Sequence, residues 1–179
     1  PTPERPNCSG KPSGFLAYSV SAGAPVAIYL YPAHPVQRDI LANFAVFCDM
    51  RVNEIETGVD GCSAPVFAVP MRKAALALAR LIDPAFTPSG MHSACQTVIQ
   101  AMQAYPEMIS GPGRFDTRLL QCGKNRWILK GGAEGYQILG ILPGVLSPGS
   151  PGVGIAIKVS DGDLIDRKST RLNSSHESP

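Results

Sequence analysis

Residues 127–142, WILKGGAEGYQILGIL, decide the fold class. Trp127 to Lys130 reads as one strand and Tyr136 to Leu142 as another, with Gly131-Gly132 and Gly135 separating them. Gly154 to Val159, GIAIKV, alternates small and apolar residues as a further strand, followed by the turn Asp161-Gly162. Ahead of these strands the apolar period lengthens to that of helices. Pro35 suits the first position of a helix through Cys48, whose apolar face is Val36, Ile40, Ala42, Phe44 and Phe47. Pro70 opens an alanine- and leucine-rich helix through Ile82, expected to be buried on most sides. Met91 to Ala104 returns to helical spacing, Pro106 breaks or restarts it, and Phe115 to Leu120 forms a short helix. Phe15 to Ala22 is another short helix, ended by Gly23, and Glu54 to Gly58 a strand. Helices in the first two-thirds and paired strands at the end predict an α+β fold, with helices packed on an antiparallel sheet.

The chain has 179 residues, 44% hydrophobic and 17% charged, enough for one domain with a buried core. No apolar run reaches the roughly 18 residues that a membrane span requires. The formal charge is +2 and the basic residues are scattered. Nucleic-acid binders concentrate their basic residues on one face, so small molecules are the expected partners. Five cysteines stand at 8, 48, 62, 95 and 122, an odd count with no CxxC pair. The expectation is therefore a reduced, cytoplasmic chain without a disulfide framework.

Four stretches carry candidate chemistry. Cys8-Ser9-Gly10-Lys11 lies at a loop-to-helix junction, where free N–H groups and the lysine would lower a thiol pKa. A small-residue turn capping the helix at Phe15 is the simpler alternative. Asp60-Gly61-Cys62 is either an ordinary turn with a buried cysteine or part of a convergence of Cys8, Lys11 and Cys62. Two thiolates and a neutral lysine are donors for zinc. Lys130-Gly131-Gly132 follows an apolar strand, as the K-T-G triplet does in β-lactamase-type enzymes, with Gly131 in place of the hydroxyl residue. A glycine-rich hairpin with an exposed lysine explains it equally. Arg114 and Asp116, in Gly113-Arg114-Phe115-Asp116-Thr117, either hold the charged ends of an amino acid or form a structural salt bridge. His34 and His92 show no metal-ligand spacing, and Cys48, Cys95 and Cys122 sit in inert contexts.

Taken in order, NCSGKPSG, YPAHPVQRDI, GVDGCSAPVFAVP, YPEMISGPGRFDT, KGGAEG and GVGIAIKVSDG resemble the asparaginase II family, the inducible, thermolabile L-asparaginases. The resemblance runs from about Asn7 to Ile165. It implies a β-lactamase-like fold, hydrolysis of L-asparagine to aspartate and ammonia, and a homodimer. It also implies a zinc ion (Zn2+) held by Cys8, Lys11 and Cys62. Lys130 matches the lysine that activates a serine; from the stretches themselves, Asp60, Gly131, Gly132 and Arg114 are the expected substrate-pocket residues.

This chain departs from the family in two ways. Pro12 stands where the family usually carries histidine, and no S-x-x-K stretch occurs in these residues. The expectation is a partial asparaginase domain over 1–165, cut at both ends and inactive for want of its nucleophile. Alternatives are a non-catalytic zinc-binding module and an amino-acid-binding β-lactamase-like domain. Residues 166–179, DRKSTRLNSSHESP, are polar and aperiodic, and resemble translated sequencing-adapter DNA more than a solvated natural tail.

Overall fold

The computed structural model describes residues 10–160 and 162. The leading PTPERP, Cys8 and residues 166–179 lie outside the described residues. Among the described residues the architecture is α+β: six α-helices accompany one two-stranded and one three-stranded antiparallel sheet. Two compact units divide the chain, Pro1–Val46 with Met50–Val69 and Phe47–Asp49 with Pro70–Pro179.

The first unit contains α1 (Gly10–Ser21), most of α2 (Pro35–Cys48) and a hairpin of β1 (Glu56–Val59) and β2 (Pro65–Ala68). Helix α1 starts five residues before the expected Phe15, because the small and polar residues preceding it are themselves helical. Strand β2 was not expected. It pairs with β1 from Glu56↔Ala68 to Val59↔Pro65, and Phe67 packs on Phe44 with ring centroids 5.2 Å apart. His34 is structural, as expected. It is buried, its Nδ1 accepts the Val36 N–H at 3.3 Å, and its Nε2 lies 3.0 Å from the Pro25 carbonyl. The histidine thus caps α2 in the manner of an Asn or Asp. Along α2 the buried face is Val36, Ala45 and Cys48, whereas Ala42 is exposed. The apolar face drawn from the sequence holds at Val36, Ile40, Phe44 and Phe47, which are buried or half-buried, and fails only at Ala42, a small residue that costs little in water.

The second unit places α3 (Met71–Ile82) across β4 (Tyr136–Ile141) and β5 (Val153–Lys158). Strand β3 (Trp127–Gly131) completes the sheet in the order β3-β4-β5. The core is Leu78 and Ile82 of α3 with Ile128 of β3, extended by Ile99, Met102, Ile138 and Leu142. Most of the remaining α3 residues are half-buried, so the helix has a wet side that its composition did not reveal. Glycines set how close α3 lies. A Cβ on Gly154 would stand 1.9 Å from the Ala75 carbonyl oxygen, and one on Gly140 would stand 3.0 Å from Ile82. Alanines on the helix and glycines on the sheet therefore bring two backbones nearly into contact.

Helices α4 (His92–Ala104), α5 (Pro106–Ser110) and α6 (Phe115–Gly123) follow. Pro106 restarts the helix at its first turn, where its missing N–H costs nothing. Gly111 (φ 96°) and Gly113 (φ 69°) turn the chain between α5 and α6. Thr117 holds that turn: its buried hydroxyl donates to the Gly111 carbonyl at 2.6 Å.

Candidate functional site

The residues singled out by sequence fall into two groups, one in each unit. In the first unit, β1 ends and the chain turns through Asp60 to Ala64. The Asp60 N–H donates to the Ala64 carbonyl at 3.0 Å, and the Ser63 N–H donates to the Asp60 carbonyl at 3.0 Å. The Asp60 carboxylate sits inside this turn, where Oδ1 accepts from Cys62 N–H at 2.8 Å and Ala64 N–H at 3.1 Å. Oδ2 accepts from the Lys11 ammonium, 49 residues away in sequence. Lys11, Asp60 and Cys62 therefore converge, and Asp60 organises them with both of its oxygens engaged. Cys8, the remaining member of the expected set, lies outside the described residues.

Cys62 is disulfide-bonded, whereas Cys48, Cys95 and Cys122 are free. This corrects the expectation of reduced sulfurs throughout. An odd count and the lack of CxxC say nothing about which sulfurs meet in space. Zinc held by Cys8, Lys11 and Cys62 would need a neutral Lys11 released from Asp60 and a reduced Cys62.

Lys11 holds the Asp60 carboxyl below its ordinary value, against the opposing effect of partial burial, and the N–H groups of Cys62 and Ala64 add to the lowering. A carboxyl depressed on folding stabilises the fold above its unfolded pKa, and that stability is lost as pH falls through the folded value. The Asp60–Ala64 turn is thus expected to loosen on acidification below about pH 4. Amide exchange at Cys62 and Ala64 measures this. In Asp60→Asn the acid-dependent step at these two amides should be absent.

Ser63 adopts φ 61°, in the left-handed region where a side chain crowds its own backbone. This is the position at which a bulged hairpin turn ordinarily carries glycine. Ser63→Gly should therefore stabilise the protein by about 0.5 kcal/mol, the left-handed penalty less the entropy of the freer unfolded chain. A rise in the urea midpoint would show it. An unchanged or lower midpoint would mean that the serine carries a compensating contact. A cavity of about 380 Å³ opens beside this turn, lined by Tyr29, Tyr31, Pro32, Val59, Ser63 and Pro65 among others. Its mostly apolar wall suits an apolar group better than the three polar ends of a small amino-acid amide.

In the second unit Lys130 and Gly131 end β3, an edge strand of the described sheet, and Gly132 follows it. Lys130 is exposed, and its ammonium donates to the carbonyl of Gly131. Gly132 is required for a reason that sequence could not show: a Cβ there would lie 2.9 Å from the Tyr136 ring. Glu134 (φ 52°) and Gly135 (φ 68°) then turn the chain into β4.

Arg114 is exposed at the N-cap of α6 and forms no ion pair with Asp116 among the described residues. The expected salt bridge is therefore absent. Asp116 is 1% exposed, and its Oδ2 accepts the Gly131 N–H at 2.7 Å. This bond joins the first turn of α6 to the end of β3. Sequence reasoning considered Asp116 as a substrate contact beside Arg114 or as its salt-bridge partner, not as an acceptor for a backbone N–H. A carboxylate just inside a helix start, two residues past a GPGR loop, was the available signal for a buried acceptor.

No curated protein matches the chain. The family comparison does find a match, and its extent takes in both groups of residues just described. The chain belongs to the L-asparaginase II family, which it matches over residues 1–172.

Proposed function

We propose that these 179 residues are part of an enzyme that hydrolyses L-asparagine to L-aspartate and ammonia by serine acyl transfer on a β-lactamase-like fold. The observation that carries this reading is the placement of Lys130 on the exposed edge of β3, followed by two glycines, in a chain of this family. A serine oxygen attacks the side-chain amide carbon, the C–N bond breaks, and ammonia departs with the proton it needs. Water then cleaves the resulting ester, releasing aspartate and restoring the serine. The role of Lys130 is to carry the proton between these steps.

The serine belongs to an S-x-x-K stretch, which these residues do not contain, so the 179 residues by themselves are expected to release no ammonia. Arg114, exposed at the start of α6, is free to meet the substrate carboxylate with a two-pronged hydrogen bond. Asp60 acts differently from a substrate contact: with both oxygens engaged, it shapes the Asp60–Ala64 turn and holds Lys11 against it. Zinc is a candidate ligand only for a reduced protein in which Lys11 has left Asp60.

Hydroxylamine tests the acyl transfer in the complete enzyme. Competing with water for a serine ester, it should divert asparagine into aspartyl hydroxamate while total turnover continues. Turnover yielding only aspartate would exclude the ester intermediate. Stoichiometric zinc in a folded, complete protein without turnover would instead favour a non-catalytic metal-binding module. Retained asparagine binding without chemistry, unaltered by Lys130→Ala, would favour an amino-acid-binding domain.

A further inference from the structure

We infer that Asp116 is a positioning residue that places the Lys130 ammonium through the backbone of Gly131, an inference that rests on the lysine's role proposed above. The geometry is a relay of two hydrogen bonds. Asp116 Oδ2 accepts the Gly131 N–H at 2.7 Å, and the Gly131 carbonyl accepts the Lys130 ammonium. Both polar groups of Gly131 are therefore occupied, one by a carboxylate fixed in a helix and the other by the lysine whose placement matters.

The register of the sheet explains why an outside acceptor is available. Gly131 faces Gln137 across the β3–β4 pair, and the next residue, Gly132, donates its N–H to the Tyr136 carbonyl at 2.9 Å. Neighbouring residues of a strand point their N–H groups to opposite sides. The Gly131 N–H accordingly points away from β4, to the open edge of the described sheet, and Asp116 closes that edge at this one residue. Glycine makes the closure matter. With no Cβ, Gly131 explores more backbone conformations than any other residue, and its carbonyl would otherwise swing freely. A lysine resting on that carbonyl would swing with it.

Asp116 is also costly as mere filling. It is 1% exposed, its Oδ1 has no hydrogen-bond partner among the described residues, and burying a carboxyl with one oxygen unsatisfied is unfavourable. Its place in the first turn of α6, where negative charge is favoured, offsets part of that cost. The adjacent Thr117, fully buried and bonded to the Gly111 carbonyl, holds the same helix start from the other side. The acceptor is thus presented from a braced turn and not from a mobile loop.

Three variants of the complete enzyme test the relay: Asp116→Ala, Asp116→Leu, which keeps the volume but loses the acceptor, and Asp116→Asn, which keeps an acceptor oxygen. Two readouts are compared, amide exchange at Gly131 and the steady-state constants for L-asparagine. The Ala and Leu variants should speed exchange at Gly131 at least tenfold over neighbouring strand amides. They should also lower kcat at least tenfold with KM within about twofold. Asp116→Asn should restore both to within about threefold of the parent. The Leu variant keeps the test decisive if the Ala variant does not fold. Activity that falls only in step with the folded fraction, or Gly131 exchange that does not change, overturns the positioning role alone. A parent enzyme that releases no ammonia overturns the asparaginase reading and the role together.

Discussion

Replacing Gly154 with valine is expected to prevent the second unit from folding, and Gly154→Ala should cost about 3 kcal/mol or more. The first atom of any side chain at this position would stand 1.9 Å from the Ala75 carbonyl oxygen and 2.8 Å from the Ala79 nitrogen. Both are backbone atoms of α3, so no rotamer change relieves the clash. The helix must lift off β5 instead, and lifting it opens the contact of Leu78 and Ile82 with Ile128. Gly14→Ala in α1 is the matching control, since a Cβ there meets nothing within 4 Å. It should be neutral or stabilise by about 0.5–1 kcal/mol, because glycine is a poor residue inside a helix. Thermal melts followed by circular dichroism compare the two. A Gly154→Ala protein melting with the parent would show that the helix does not lie this close to the sheet.

The second large effect concerns activity and leaves stability alone. Lys130→Ala should reduce kcat of the complete enzyme about 10²–10⁴-fold, the range typical for losing a proton-transfer group, while KM changes little. The melting temperature should not move, because the lysine is exposed and its hydrogen bond runs to the next residue's carbonyl. Lys130→Arg should not rescue the rate. A guanidinium keeps the charge but does not release its proton at working pH, so the two side chains differ where a proton must move. Full rescue by arginine would reassign Lys130 to binding through charge alone.

Much of the fold was legible because most elements carried their own boundary chemistry. Pro35, Pro70 and Pro106 mark helix starts, and the glycines at 132 and 135 separate β3 from β4. Strand β2 was missed because Pro65–Ala68 is only four residues long, too short for alternation to stand out. On α2 only Ala42 was placed wrongly, because alanine carries almost no inside-or-outside preference. Composition could not show that α3 is pressed onto glycines, since Gly140 and Gly154 look like weak points in a strand until the helix above them is known.

The site was legible in parts. The sequence resemblance grouped Lys11 and Cys62 with Cys8, which lies outside the described residues; Lys11 and Cys62 meet at Asp60. Their chemistry was not legible: a carboxylate that takes up the lysine and a disulfide at Cys62 depend on distances that linear spacing does not encode. Asp116 shows the same limit. Its neighbour in sequence, Arg114, was the obvious electrostatic partner, yet the partner it found was a backbone N–H fifteen residues ahead.

Ammonia release from L-asparagine by the complete enzyme carrying this sequence is the most direct measurement. The account predicts aspartate and ammonia in equal amounts, with turnover lost in Lys130→Ala. A folded, complete protein that leaves L-asparagine intact, or one that hydrolyses it just as fast without Lys130, would contradict the account.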